Sequence, residues 1–189
     1  MEPDTTDLRA GAPIHDSLLA LLPLVGVWRG AGTGVSPGGH APIAGGTPIA
    51  SAGAEFAYGQ QVTFAHDGRP FLSYEARAWL VDPSSGDVIR QAWRETGFWR
   101  AGATEDDFEV VLASNTGQAM QYVGVAGDLR WELTSTSLVP AATAKPVDAE
   151  RRLYAILNSA GGPELVYAAE LAPAGRPLAT HLHARLSPA

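Results

Sequence analysis

The fold of this chain is decided by a stretch between residues 70 and 100, which reads PFLSYEARAWLVDPSSGDVIRQAWRETGFWR. Two runs of alternating apolar and polar residues, Pro70–Val81 and Val88–Arg100, flank the turn signal Asp82–Asp87. Alternation with a period of two is typical of strands with one buried face, and Pro, Ser and Gly between two such runs are typical of a hairpin connection. The stretch therefore predicts two adjacent antiparallel strands.

The same pattern continues on both sides of this hairpin. One more strand-like run precedes it, Glu55–Ala65, and the others follow it: Asp107–Ala113, Gln118–Val125, Leu129–Leu138, Val147–Leu157, Glu164–Leu171 and Pro177–Leu186. With a strand opened by Trp28, about ten short strands joined by hairpin-like connections predict an antiparallel meander. Such a meander closes most easily into an up-and-down β-barrel with a cavity, so the predicted fold class is all-β. An immunoglobulin-like sandwich is the competing arrangement, but it would use fewer strands and usually a cysteine pair.

Three segments lie outside this strand pattern. Residues 1–13 are polar or small and punctuated by Pro and Gly, which predicts a disordered or loosely draped tail and leaves 14–189 as the barrel domain. The leucines after His15, with Asp16 or Ser17 as N-cap, predict a short helix that ends near Pro23 and could plug one barrel mouth. Gly34–Gly53 is too rich in Gly and Pro for a regular element, so we expect a long loop that is either mobile or a lid.

Composition narrows the class of protein. The chain has 189 residues and a net charge of −7 without a run of Lys or Arg, which argues against a nucleic-acid partner. No stretch approaches the roughly 20 apolar residues that span a bilayer, and the first residues are acidic where a signal peptide is basic. We therefore expect a soluble, cytoplasmic protein without a membrane partner. Because there is no cysteine, any metal must be held by nitrogen or oxygen ligands.

A glycine-rich motif, GVWRGAG, opens the first predicted strand at residues 26–32. In a strand, Gly26, Trp28, Gly30 and Gly32 belong to one face. Three residues without side chains therefore leave space beside one large indole. A flat ligand could lie against such a face. The alternative is that the glycines let the strand bend sharply and that Trp28 plugs the end of the barrel.

The best candidate for a metal ligand is His181, in the otherwise aliphatic last strand. A histidine there is more often a satisfied core or rim residue, and two histidines on one face could also hold zinc, because His183 shares the face of His181 if the strand is regular. Zinc would need a third ligand, and the other histidines lie in poor places to converge with these two, in a helix start, a loop and a turn: His15, His40 and His66. Scattered carboxylates are assigned no role: Glu55, Glu75, Glu95 and Glu109.

With both ends of the barrel considered together, the chain resembles the nitrobindins, small all-β haem proteins also described as peroxynitrite isomerases. The resemblance covers roughly Leu19 to Leu186. It is carried by six segments in the family's order, which begin at Gly26, Phe64, Arg94, Ala113, Thr143 and Pro177: GVWRGAG, FAHDGRPFLSY, RETGF, ASNTG, TAK and PLATHLH.

The resemblance implies a site and an activity. His181 falls on the proximal ligand of a ferric haem b, the residues Gly26, Trp28, Gly30 and Gly32 fall on the family's glycine motif, and Lys145 matches a lysine that could pair with a propionate or simply be solvated. Some relatives have a histidine where this chain has Trp93, so the far side of the haem is less basic if Trp93 points inward.

The implied function is isomerisation of peroxynitrite to nitrate, together with binding of nitric oxide. Two alternatives remain open at this stage: a non-enzymatic barrel that carries a hydrophobic ligand, and a haem-based nitric oxide sensor or carrier. The oligomeric state is also open, a homodimer included.

Overall fold

A computed structural model of the chain, in which residues 4–36 and 53–189 are described, shows a closed barrel of ten antiparallel strands. Each strand pairs with its neighbours in sequence, and the first pairs with the last. The strands are β1 (Gly26–Val35), β2 (Glu55–Ala65), β3 (Phe71–Val81), β4 (Val88–Ala101), β5 (Asp107–Ser114), β6 (Gln118–Gly127), β7 (Arg130–Pro140), β8 (Val147–Ser159), β9 (Gly162–Pro173) and β10 (Ala179–Pro188). The predicted up-and-down barrel is confirmed, with strand ends shifted by a few residues.

The predicted N-terminal helix exists as a 3-10 helix over Asp16–Leu24. Its N-cap is His15 and not Asp16 or Ser17, because the His15 Nδ1 atom accepts a hydrogen bond of 3.2 Å from the backbone N–H of Ser17. An imidazole nitrogen can satisfy a free N–H at a helix start as a hydroxyl or carboxylate does. The sequence rule for caps favours the commoner residue types and therefore missed it.

This helix closes one end of the barrel. Leu18, Leu21 and Leu24 are buried against the interior. Two indole N–H groups donate to its backbone carbonyls, Trp28 to Leu24 and Trp131 to Ala20, each over 2.8 Å. Large aromatic rings fill the adjoining half of the barrel, where Trp99 lies 5.3 Å from both Phe64 and Tyr154, centroid to centroid: Phe64, Tyr74, Trp99, Phe108 and Tyr154.

The segment before the helix lies against the barrel wall. Thr5 forms an isolated bridge with His66, with backbone hydrogen bonds of 2.7 and 2.9 Å, and the hydroxyl of Ser73 donates to the carboxylate of Asp4 over 2.7 Å. The division into a tail over 1–13 and a barrel domain over 14–189 stays a prediction. No helix within residues 4–36 and 53–189 has the length and apolar character needed to cross a bilayer.

The predicted loop Gly34–Gly53 begins later than expected. Gly34 and Val35 are the last residues of β1, and the N–H of Gly53 donates to the carbonyl of Ser36 over 3.0 Å. The rest of that predicted loop, 37–52, lies outside the described residues.

Closure of the barrel requires the close approach of β10 to β1. A Cβ atom on Gly30 would lie 2.1 Å from the carbonyl oxygen of Arg185, and one on Gly32 would lie 2.2 Å from that of His183. The Cβ on Gly32 would also lie 2.7 Å from the ring of Tyr58. Gly30 and Gly32 are therefore explained by packing of backbone and aromatic ring, as expected where two chain segments come unusually close.

We expect Gly30→Ala to destabilise the barrel by about 1–3 kcal/mol, the usual cost of overpacking a well-packed site. The atoms that the new methyl group meets are backbone atoms of Arg185 and Leu186, which cannot turn aside. Urea unfolding followed by tryptophan fluorescence measures the change. Gly127→Ala is the matched control, because a Cβ there meets only the carbonyl of Arg130 at 3.9 Å. Equal stability of Gly30→Ala and wild type would contradict this explanation of the motif.

Candidate functional site

A cavity of about 470 Å³ opens at the barrel end opposite the helix. It lies inside the ends of β4 and β6–β10 and is rimmed by the β5–β6 and β7–β8 turns. Its size falls within the range of small-molecule and cofactor sites. The apolar part of its wall includes Phe56, Trp93, Leu138, Leu171 and Leu182.

The cavity exists partly because the barrel wall loosens between two strands. β7 pairs with β8 from Arg130 to Thr134, and no further pair between these two described strands follows. Beyond that point the N–H of Glu150 donates to the hydroxyl of Ser135 over 3.0 Å instead of to a backbone carbonyl. The side chain supplies the hydrogen bond that the separating backbone no longer provides.

A β-bulge directs His181 into this cavity. Along β10 the register passes from Thr180 opposite Glu170 to Leu182 opposite Ala169, so His181 is the extra residue. Consecutive residues of a regular strand point to opposite faces, yet His181 and Leu182 both line the cavity. Bulges re-aim side chains in this way and are common next to functional sites.

The imidazole of His181 is held in one orientation by the end of β1. Its Nδ1 atom lies 2.9 Å from the carbonyl oxygen of Val35. Because a carbonyl only accepts, Nδ1 carries the proton and the lone pair of the neutral ring resides on Nε2. The ring of Phe56 meets the imidazole edge-on at 6.5 Å between centroids. A metal-ligating histidine is typically oriented by such a hydrogen bond from its other nitrogen.

The bulge also separates the two histidines of the last strand. His183 is exposed, and its Nε2 atom lies 2.8 Å from the hydroxyl of Thr33. The sequence predicted that His181 and His183 share a face on the condition that the strand is regular, and the bulge breaks that condition. The structure therefore places His183 away from His181 and does not form the histidine pair that a zinc site would use.

Two more of the residues singled out in the sequence lie at the cavity. Lys145 lies on its rim in the turn between β7 and β8, and its carbonyl accepts a hydrogen bond of 2.6 Å from the amide of Gln118. The other amide atom of Gln118, Oε1, is buried without a partner in the described structure. Trp93 points inward, lines the cavity and packs on Tyr58 with 4.8 Å between ring centroids.

The structure does not bring the glycine motif to this cavity. Trp28 lies at the opposite end, against the helix, and Gly26 is next to it. Gly30 and Gly32 face backbone and ring atoms that occupy the space a flat ligand would need. Trp28 lies at the plugged end of the barrel, as the alternative interpretation of the motif expected. Gly30 and Gly32 allow the close approach of β10, and the sharp bend of the strand stays a prediction.

Sequence reasoning missed the buried charged cluster in the cavity wall. Arg152 makes a bidentate pair with Glu95, with N···O distances of 2.6 and 2.8 Å, and its Nε donates to Glu150 over 2.7 Å. The sequence did indicate that these side chains are buried. Glu150 and Arg152 occupy alternate positions of β8 with Tyr154, all on its buried face. Glu95 lies on the same buried face of β4 as Trp99. Burial lowers the pKa of Arg152, but the carboxylates of Glu150 and Glu95 outweigh it and hold that pKa well above its ordinary value.

A phenol completes this cluster. The hydroxyl of Tyr122 donates to the second carboxylate oxygen of Glu150 over 2.8 Å, and the Arg152 guanidinium lies 5.2 Å from the centre of the Tyr122 ring. Both carboxylates therefore have each oxygen occupied by a donor. Such complete pairing is what allows charged side chains to be buried.

A ten-stranded antiparallel barrel, with an oriented histidine in a cavity that has both apolar and charged walls, defines a β-barrel protein that binds a small molecule or cofactor. Residues 17–187 match the family described as "THAP4-like, heme-binding beta-barrel domain". The chain belongs to this family.

Relatives of known name share nearly the whole chain. A peroxynitrite isomerase of Streptomyces griseus subsp. griseus is 42% identical over 95% of this chain and 88% of its own length. One of Salinispora arenicola is 40% identical over 97% of this chain and 86% of its own length. The crystal structure of Rv2717c from M. tuberculosis superposes with a TM-score of 0.71 at 33% identity, covering 93% of this chain and 99% of that one.

We expect Arg152→Met to destabilise the protein by about 3–5 kcal/mol, because it leaves two carboxylates buried without their cation. Chemical denaturation measures the loss. Arg130→Met is the control, since the Arg130–Glu132 pair has side chains that are 57% and 62% exposed and water screens such pairs. If the two variants are equally stable, the cluster is not the buried unit that its distances indicate.

Stability should also fall at high pH. All five tyrosines are buried, and burial raises the pKa of each above its ordinary value of 10.0: Tyr58, Tyr74, Tyr122, Tyr154 and Tyr167. Above pH 10 the unfolded chain loses phenol protons that the folded chain keeps, so the free energy of unfolding decreases as the pH rises. Phenolate absorbance should therefore appear only together with unfolding. A tyrosine of the folded protein that ionises near pH 10 would contradict this.

Proposed function

We propose that this protein isomerises peroxynitrite to nitrate with a haem b bound in the cavity and His181 as the axial ligand of its iron. The observation that carries the proposal is the oriented imidazole at the cavity, its Nδ1 tied to the carbonyl of Val35. Membership of a haem-binding family supports the cofactor, and relatives named peroxynitrite isomerase support the reaction.

The residues at the cavity fit a haem. A histidine nitrogen is a common protein ligand of haem iron, and His181 lines the cavity with its Nδ1 tied to the carbonyl of Val35. An apolar macrocycle needs apolar and aromatic walls, which Phe56, Trp93 and Leu182 supply. The anionic propionates favour a cation at the mouth, where Lys145 lies on the exposed rim.

The roles of the chain follow from these positions. When bound, a ferric haem would supply Lewis-acid chemistry toward a peroxide substrate. His181 holds the cofactor at one side, and the hydrogen bond to Val35 keeps its ring from turning. Trp93 adds an apolar indole where a basic side chain would offer a second nitrogen. The same pocket would bind nitric oxide. We further propose a cytoplasmic location, because the sequence has no long apolar stretch and its first residues are acidic.

The decisive test is a titration of the purified protein with ferric haem, followed by absorption spectroscopy. Wild type should give a saturable Soret band. His181→Ala should shift or abolish this band, and added imidazole should restore it, because the small ligand can occupy the vacated position. His183→Ala is the matched control, two residues along the same strand but directed to the outer face, and should titrate as wild type does.

Activity is then followed as peroxynitrite decay with nitrate as product. The haem-loaded wild type and His183→Ala should accelerate the decay, and His181→Ala should not. A wild type that takes up no haem specifically would overturn the proposal and leave a carrier of a hydrophobic ligand as the function. Haem binding without accelerated decay would favour a nitric oxide sensor or carrier.

A further inference from the structure

The charged cluster in the cavity wall has more negative than positive groups. Glu95 on β4 and Glu150 on β8 are paired with a single guanidinium, Arg152. The three residues are 9%, 6% and 4% exposed, respectively, and all three line the cavity that contains His181. The formal sum of two carboxylates and one guanidinium is −1. This charge faces the cavity from a site that water hardly reaches.

The hydrogen bonds fix the carboxylates as acceptors. Both oxygens of Glu95 accept from the two Nη atoms of Arg152, and the oxygens of Glu150 accept from Arg152 Nε and from the hydroxyl of Tyr122. Hydrogen bonds donated to a carboxylate favour its ionised form. The arrangement is therefore a fully paired set in which two carboxylates share one guanidinium.

Among the described residues that line the cavity, Lys145 carries the other charged side chain, and it offsets this surplus only weakly. Lys145 lies on the rim and is exposed, so its charge is screened by water, whereas the buried cluster is screened far less. A fixed charge in a region of low dielectric acts strongly on any charge that changes nearby. Here the charge that changes is that of the haem iron, which is one unit more positive in the ferric than in the ferrous form.

We propose that the Glu95–Arg152–Glu150 cluster, through its net negative charge at the cavity, favours ferric over ferrous haem. This inference rests on the proposed function, because it needs haem in the cavity. Glu95 and Glu150 would act on the iron electrostatically, through space, without binding it. The effect depends on the charge and not on which face of the haem the cluster meets.

A preference for ferric haem suits the isomerisation of peroxynitrite. Peroxynitrite and nitrate contain the same atoms and carry the same charge, so the isomerisation transfers no net electron. Ferrous haem would give an electron to the peroxide and end the turnover oxidised, whereas a haem that begins and ends the turnover ferric leaves no net electron transferred, as the isomerisation requires. The cluster would thus set which chemistry the cofactor supplies.

The test is the reduction midpoint potential of the haem-loaded protein, measured by spectroelectrochemical titration. Glu150→Gln removes one charge with little change of volume and leaves the Arg152–Glu95 pair intact. We expect an increase of about tenfold in the equilibrium constant for reduction, which is an upward shift of about 59 mV for a one-electron couple. Glu95→Gln should shift the potential in the same direction.

Two controls separate charge from structure. Tyr122→Phe removes the hydrogen bond to Glu150 but no charge, and Glu132→Gln removes a charge from an exposed side chain on the neighbouring strand. Both should keep the potential of wild type.

Haem-loaded Gln variants with the potential of wild type, or a lower one, would refute the inference while leaving the proposed function standing. The same holds if neither Gln variant takes up haem, since the cluster would then serve folding or haem uptake and not the choice of oxidation state. Failure of the proposed function is a separate outcome, because the wild type itself would then bind no haem.

Discussion

The pairing of β1 with β10 is the constraint on which the rest of the structure depends. It closes the barrel, and it brings the end of β1 beside the bulge of β10, so that the carbonyl of Val35 reaches the imidazole of His181. Gly30 and Gly32 make this pairing possible because backbone atoms of β10 occupy the space where their side chains would stand. The motif thus serves the site at a distance, through closure of the barrel, without contacting the cavity.

The interior is divided into two unlike halves. Near the helix, stacked and edge-on aromatic rings fill the space, and indole N–H groups hold the helix as a plug. At the other end, β7 and β8 separate beyond Thr134, and the wall carries a paired set of charges beside its aromatic and aliphatic residues. The packed half supplies rigidity, and the open half can therefore maintain a cavity and a fixed electrostatic field.

Much of the fold could be predicted from the sequence, for a physical reason. Each strand has its own alternation of buried and exposed residues, and each turn has its own Gly, Pro or Asp. The meander can therefore be predicted from the local sequence of each strand and turn. The helix was predicted too, although its cap was not, because the imidazole of His15 replaces the usual hydroxyl or carboxylate.

The site was harder to predict, because it depends on exceptions to the strand pattern. Regular alternation puts His181 and His183 on one face, and only the bulge at residue 181 sends them apart. Glu95 was assigned no role, since its partner Arg152 is 57 residues away in sequence and pairs with it across the interior of the barrel. The resemblance to nitrobindins singled out His181 and Lys145, which lie at the cavity, and also the glycine motif, which lies elsewhere.

The measurement that tests the central claim most directly is a crystal structure of the haem-loaded protein with the iron located by its anomalous scattering. The account predicts iron bound to Nε2 of His181, with Nδ1 still donating to the carbonyl of Val35 and the haem inside the cavity that Phe56, Trp93 and Leu182 line. Iron bound by another residue, or a haem lying outside this cavity, would contradict it.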